Sequence, residues 1–156
     1  YVSLGGPHTL AGFSLTTLRD GDVGVEVAPW ELFAIGGTNT VRGWPFAART
    51  GKNQMLNTLE YRFTLLEPKF WDLPLGFRYR GGIQLALFGD VGVGWEDGHQ
   101  FAADRFIGGY GVGLRLLIPI VGMARIDVGF GENGLTRMYW HLGSFEKATM
   151  ARRRVR

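Results

Sequence analysis

The chain contains no cysteine and no long apolar run. Without cysteine it can form neither a disulfide framework nor a thiol nucleophile. The longest nearly apolar segment, LLIPIVGMA at 116–124, is interrupted by Pro119 and Gly122. It is far shorter than the roughly 20 residues that a membrane-spanning helix needs. A membrane-spanning strand needs only about 9 to 11 residues of alternating polarity, so a membrane location through strands stays open.

Net charge and helical periodicity are also scarce. A formal charge of +3 over 156 residues, with 46% hydrophobic residues, speaks against a disordered or nucleic-acid-binding protein. The 25 glycines recur too often for helices of ordinary length. The chain begins with Tyr1 and shows no secretory signal, so we expect further chain before it.

Alternating polarity replaces helical periodicity. Residues 83–95 place mainly aliphatic residues at odd positions and small or polar residues at most even ones. Similar alternation predicts strands at 9–19, 57–66, 110–118, 124–130 and 138–142. Turn sequences separate the strands at 19–22 (RDGD), 67–76 (EPKFWDLPLG), 96–100 (EDGHQ), 119–122 (PIVG) and 131–134 (GENG). We therefore predict an all-β fold, an antiparallel meander of about six long strands.

The character of the polar face distinguishes a soluble β-sandwich from a membrane barrel. In a sandwich that face meets water, whereas in an outer-membrane barrel it lines a wet interior. Two features favour the barrel. The polar face mixes small residues with charges, and aromatic residues near strand ends resemble interfacial girdles: Trp44, Trp71, Trp95, Tyr139 and Trp140. Because hydrocarbon does not tolerate open sheet edges, six strands indicate part of a larger transmembrane β-barrel.

One glycine-rich run carries a single arginine and no other charge: FAIGGTNTVRGW at 33–44. It resembles the F-x-x-G-G-x-x-x-[VL]-R-G-[FYW] loop of the BamA/TamA-type outer-membrane insertase and transporter superfamily, also called the bacterial surface antigen family. Further segments match in the family's order: LEYR at 59–62, FGDVG at 88–92, GVGLR at 111–115 with Pro119, Gly122, Arg125 and Asp127 after it, and WHLGSF at 140–145. The resemblance covers roughly residues 29–145.

The resemblance implies that residues 1–145 supply strands eleven to sixteen of a sixteen-stranded barrel. Residues 20–52 would be the loop that folds into the lumen, and 146–156 a basic tail. The loop tip would consist of Val41, Arg42, Gly43 and Trp44. It would dock on a wall containing Glu60, Phe88, Asp90 and Gly92.

We expect Arg42 to pair with Asp90 or Glu60, and the sequence does not decide which. The alternation independently places both carboxylates on the polar face. Two alternatives stay open. Arg42 could be an ordinary solvent-facing loop residue, or Asp90 could pair with an arginine of the wall such as Arg115.

The closing strand would carry the family's assembly signal, which we place at Trp140, Leu142, Gly143 and Phe145. Family members usually end with the aromatic residue, whereas here eleven residues follow Phe145 and four of them are arginine. The Leu142-Gly143 pair also lies nearer that aromatic than in the usual pattern. The basic tail is either flexible and solvated or in contact with anionic lipid or a partner.

The implied function is non-enzymatic assembly of proteins into an outer membrane of the Gram-negative type, or translocation of proteins across it. Expected partners are the lipid bilayer, unfolded β-barrel or secreted substrates, periplasmic POTRA domains and accessory assembly proteins. No catalytic constellation is visible, and the three histidines are scattered, so we expect no enzyme activity, cofactor, metal or nucleic-acid partner. The alternatives are a passive barrel anchor or pore for an upstream soluble domain, and a two-partner-type secretion transporter.

Overall fold

The computed structural model describes residues 1–72, 78–97, 101–118, 122–131, 134 and 136–142. Strands dominate this part of the chain. Their bounds are β1 (Val2–Gly5), β2 (His8–Thr17), β3 (Phe33–Ile35), β4 (Arg49–Gly51), β5 (Asn53–Asp72), β6 (Arg78–Trp95), β7 (Ile107–Ile118), β8 (Gly122–Phe130) and β9 (Thr136–Leu142). Short 3-10 helices lie at Pro29–Glu31 and Ala103–Arg105.

Seven of these strands form one antiparallel sheet in the order β1-β2-β5-β6-β7-β8-β9. Strands that follow one another along the sheet are joined directly, apart from the long connection between β2 and β5, which contains the small β3-β4 hairpin. Within the described residues the sheet is open, with β1 and β9 at its edges. The prediction of an all-β antiparallel meander is therefore confirmed. Six of the seven strands are long, and β1 is a short addition.

The hairpin of β5 and β6 extends further than the sequence predicts. Residues 67–76 read as a turn, yet β5 continues to Asp72, which pairs with Arg78. The register shifts between Thr64 and Leu66 and again between Leu66 and Lys69, and the second shift spans Pro68. Irregular pairing accommodates proline because its nitrogen cannot donate to the ladder. The prediction was wrong for 67–72 because a proline at such an irregularity does not end a strand.

The sheet exposes its apolar face and buries its charged face, which is the opposite of a soluble β-sandwich. Large apolar side chains on one face are exposed in this chain, among them Leu59, Leu87, Val91, Tyr110, Val112, Met138 and Trp140. The opposite face buries charged residues, namely Glu60, Asp90, Arg115, Arg125 and Asp127. Because a soluble sandwich buries its apolar face, this arrangement is that of a membrane barrel wall. No helix in the described ranges is long and apolar enough to cross a membrane.

The long loop between β2 and β5 covers the charged face. Ile35 and Val41 from the loop pack with Leu56 of β5 and Ile107 of β7 into a buried apolar cluster. Phe33, Trp44, Ala48 and Leu15 pack around it. This cluster holds the loop against the sheet and sets the position of the residue that follows Val41.

Candidate functional site

Arg42 is fully buried where the tip of the loop meets the sheet. Its Nε donates to Asp90 Oδ2 at 2.6 Å, and one terminal nitrogen, Nη2, donates to Asp90 Oδ1 at 3.0 Å. The backbone N–H of Arg42 also donates to Asp90 Oδ2, at 3.1 Å. A two-pronged guanidinium contact of this kind is charge-assisted and directional. It therefore specifies both where the arginine lies and how its backbone is oriented.

Two further carboxylates share the guanidinium. Arg42 Nη1 donates to Asp127 Oδ2 at 2.9 Å and to Glu60 Oε2 at 3.3 Å. The guanidinium also stacks over the Phe88 ring, with Cζ 3.4 Å from the ring centroid, in a cation–π contact. The loop tip thus contacts side chains from three strands, β5, β6 and β8.

The wall itself supplies three more arginines. Arg115 donates to Glu60 Oε2 at 2.9 Å and makes a short contact with Asp127 Oδ1. Arg62 Nε lies 2.7 Å from Glu60 Oε1, and Arg125 Nε lies 3.1 Å from Asp127 Oδ2. These pairs hold the two acidic side chains from the side of the wall, in addition to their contact with Arg42. Charged groups buried in this way are tolerated only when each has partners.

The charge on Arg42 is stabilised by its neighbours. Arg42 lies in the loop, outside the strands. Burial disfavours the charged form, but the hydrogen bonds and charges of Asp90 and Asp127 outweigh that effect. The pKa of the Arg42 guanidinium is therefore raised above its usual range. The contact does not depend on a proton that is lost near neutral pH.

Glycines of the wall leave room for the loop backbone. A Cβ at Gly109 would overlap the Arg42 carbonyl oxygen, and one at Gly129 would lie 2.8 Å from Gly43 N. A Cβ at Gly92 would lie 2.7 Å from Val41 Cγ2. Gly43 itself has φ +95°, a conformation that residues with a Cβ rarely adopt. Because the wall glycines have no side chains, they leave a trough in which the tip lies.

Trp44 and Tyr139 attach the tip to β7 and β9. Trp44 Nε1 donates to the Gly108 carbonyl at 2.7 Å. The Tyr139 hydroxyl accepts from Gly43 N at 2.9 Å and donates to the Trp44 carbonyl at 3.1 Å. The interpretation of Trp44 and Tyr139 as girdle aromatics was wrong, because both take part in loop docking. Trp95 packs against Phe101 and is 8% exposed.

The structure brings the sequence-derived tip and wall residues into contact. Arg42 reaches Asp90, Glu60 and Phe88, and Val41 lies over Gly92. Arg42 is therefore not a solvent-facing loop residue. Arg115 of the wall contacts Glu60 and Asp127. On the closing strand, Trp140 and Leu142 are exposed on the apolar face. Gly143, Phe145 and the basic tail at 146–156 lie outside the described residues.

Sequence reasoning missed four contributors to the docking site: Asp127, Tyr139, Gly109 and Gly129. Because they alternate with apolar neighbours, Asp127 and Tyr139 fall on the polar face of the strands predicted at 124–130 and 138–142. Gly109 lies just before the predicted strand at 110–118 and falls in line with Gly111 and Gly113 along the observed β7. Three glycines in a row on one face are a signal of close backbone approach, which could have indicated where the loop docks.

An open sheet with an apolar outer face, whose buried charged face holds a docked loop, defines the class: part of the wall of an outer-membrane-type β-barrel. The comparison with protein families agrees. The Omp85 superfamily domain matches residues 2–145, and the chain belongs to the Omp85 superfamily. The family resemblance in the sequence is confirmed. Omp85 proteins belong to outer membranes or outer envelopes.

One curated relative is the outer envelope protein 80, chloroplastic, of Arabidopsis thaliana. It is 28% identical over 138 residues, an alignment that covers 83% of this chain and 17% of the relative. The chain thus spans about a sixth of that protein's length. No solved structure matches the chain.

Proposed function

We propose that β2 and β5 to β9 are strands eleven to sixteen of a sixteen-stranded BamA/TamA-type barrel, and that the short β1 belongs to the strand before them. The barrel would insert β-barrel proteins into an outer membrane or pass proteins across it, without an enzymatic step. The observation that carries the proposal is the buried contact of Arg42 with Asp90, Asp127 and Glu60. A passive wall does not need a loop tip that is fully buried and bonded to three strands.

The docked tip supports this function because it holds together the strands beside β9, the edge strand of the described sheet. Glu60, Asp90 and Asp127 lie on β5, β6 and β8, so one guanidinium fixes strands that are not all neighbours. β9 pairs with β8 and forms the edge of the described sheet. A strand edge offers backbone hydrogen bonds to an extended polypeptide, so an incoming strand can be templated by addition. Binding and templating are sufficient for such a mechanism.

The proposed setting follows from the same family. We place the protein in an outer membrane of the Gram-negative type, with unfolded β-barrel or secreted proteins as substrates. POTRA domains preceding the barrel and accessory assembly proteins are proposed partners. The chloroplastic relative supports the broader setting of an outer envelope.

Charge reversal tests the proposal in the full-length protein. Asp90→Arg places a second guanidinium against the buried guanidinium of Arg42, and it should reduce assembly of a reporter β-barrel protein at least tenfold. Arg42→Asp should do the same, because it adds a fourth carboxylate to Glu60, Asp90 and Asp127. The double variant should recover only part of the activity, since its new arginine lies on the wall and its new carboxylate lies near Asp127.

Asp104→Arg is the matched control, because Asp104 is an exposed residue of the second 3-10 helix. Activities are normalised to the amount of each variant in the membrane. A barrel that serves only as an anchor or pore for an upstream domain predicts unchanged reporter assembly per inserted molecule. Wild-type assembly by both single variants would refute the proposed role of loop docking.

A further inference from the structure

Tyr139 places a single hydroxyl between two backbone groups of the loop tip. The oxygen accepts a hydrogen bond from Gly43 N at 2.9 Å and donates one to the Trp44 carbonyl at 3.1 Å. A phenol hydroxyl can donate and accept at the same time, so Tyr139 bonds to two adjacent residues of the tip, Gly43 and Trp44. These contacts involve the loop backbone and are separate from the ion pairs of Arg42.

The same tip also binds the cross-strand partner of Tyr139. Asp127 of β8 lies opposite Tyr139 of β9 in the ladder, and Asp127 accepts from Arg42 at 2.9 Å. Consecutive loop residues therefore contact both members of one β8-β9 pair. The docked tip bridges the last two strands from the charged face.

This bridge lies on a short ladder. Among the described residues, β8 and β9 share seven residue pairs, whereas β7 and β8 share nine and β6 and β7 share eleven. Fewer ladder bonds make local separation of an edge strand less costly. The two hydrogen bonds from Tyr139 to the loop tip are therefore a second attachment of β9, beside its ladder with β8.

We propose that Tyr139 is a positioning residue that couples loop docking to attachment of the closing strand. With the tip docked, the hydroxyl holds β9 against β8. When the tip leaves the wall, both bonds are lost and β9 separates more readily, which frees its edge to exchange partners. The use of that edge rests on the proposed function, whereas the coupling is a property of the wall itself.

Hydrogen exchange of the full-length protein in membranes tests the coupling. Tyr139→Phe keeps the ring and removes the oxygen. Amides in 136–142 should exchange about 5 to 10 times faster, the effect expected for losing a buried neutral hydrogen bond. Tyr110→Phe is the matched control, because Tyr110 is 66% exposed on the apolar face, and it should leave exchange unchanged.

A double-mutant cycle separates coupling from simple strand stabilisation. In an Arg42→Lys background, which keeps the charge but weakens the fork on Asp90, Tyr139→Phe should add little to the exchange of β9. An equal increase in both backgrounds would overturn the proposal, because Tyr139 would then stabilise β9 without the loop. Unchanged exchange in the wild-type background would overturn it as well.

A cross-link supplies a second measurement, in full-length protein from which any cysteine outside these 156 residues has been removed; these residues contain none. Val128→Cys and Met138→Cys replace cross-strand partners on β8 and β9. Disulfide formation should become slower with Tyr139→Phe and stay unchanged with Tyr110→Phe. If the coupling is present while Asp90→Arg assembles the reporter normally, only the proposed function fails. If Asp90→Arg is defective but the coupling is absent, only this inference fails.

Discussion

The trough under the loop tip allows a test with one methyl group. Gly108 and Gly109 are neighbours on β7 and point to opposite faces of the sheet. A Cβ at Gly109 would overlap the Arg42 carbonyl oxygen, whereas at Gly108 the nearest atom, the Asp90 carbonyl oxygen, is 3.9 Å away. Gly109→Ala should therefore displace the docked tip, and Gly108→Ala should leave it in place.

The magnitude follows from what the displacement breaks. Overpacking of a closely packed site costs about 1–3 kcal/mol. Moving the Arg42 backbone also stretches its N–H contact with Asp90, and breaking a buried ion pair costs roughly 3–5 kcal/mol. We expect a loss of about 3 kcal/mol or more in the free energy of loop docking. That loss is about a 100-fold change in the docking equilibrium. Gly108→Ala should stay within about 0.5 kcal/mol.

Hydrogen exchange of loop amides in 33–44 measures the docking equilibrium directly. The two alanine variants have the same composition and differ only in the face that receives the methyl group. Exchange should accelerate strongly for Gly109→Ala and little for Gly108→Ala. Equal exchange in the two variants would refute the placement of the tip against β7.

Three further outcomes are expected. Asp127→Asn removes a carboxylate that Arg42, Arg115 and Arg125 share, and it should destabilise the docked loop by roughly 3–5 kcal/mol. Hydrogen exchange of the same loop amides measures this loss, and a value below about 1 kcal/mol would contradict the buried network. Docking should not change between pH 7 and about 9, because a raised arginine pKa gives stability that is fully present below the unfolded pKa of arginine and is lost only as the pH rises toward the folded pKa. Loop release in that range, seen by exchange corrected for its intrinsic pH dependence, would contradict this. Leu87→Arg on the exposed apolar face should destabilise the barrel by about 2–4 kcal/mol in denaturant titrations in lipid vesicles, and a neutral effect would contradict a lipid-facing position.

Local periodicity was sufficient for the strands and their faces. In a strand, successive side chains point to opposite sides, so the alternation of residues 83–95 predicts β6 and places Asp90 on the same face as Phe88. The tip residue Arg42 was recognisable because a glycine-rich run with one charge is a local feature. The extension of β5 to Asp72 was not predictable in the same way, since turn-forming residues also occur within an irregular ladder.

The choice among carboxylates required the tertiary structure. Sequence reasoning left Asp90 and Glu60 open, and the structure gives Asp90 the two-pronged contact and Glu60 a longer one at 3.3 Å. Asp127 is 85 residues from Arg42, and nothing in the local pattern relates the two.

What the sequence by itself determined is therefore the set of strands, their two faces and the charged tip of the loop. These features depend on neighbouring residues and on the geometry of the pleat. Only the tertiary structure decided which acids share the guanidinium and that Tyr139 bonds to the tip. Those contacts depend on strand register and on how closely the loop backbone can approach Gly109 and Gly129. Register and approach distance are properties of the assembled sheet, because they arise only when distant segments pack together.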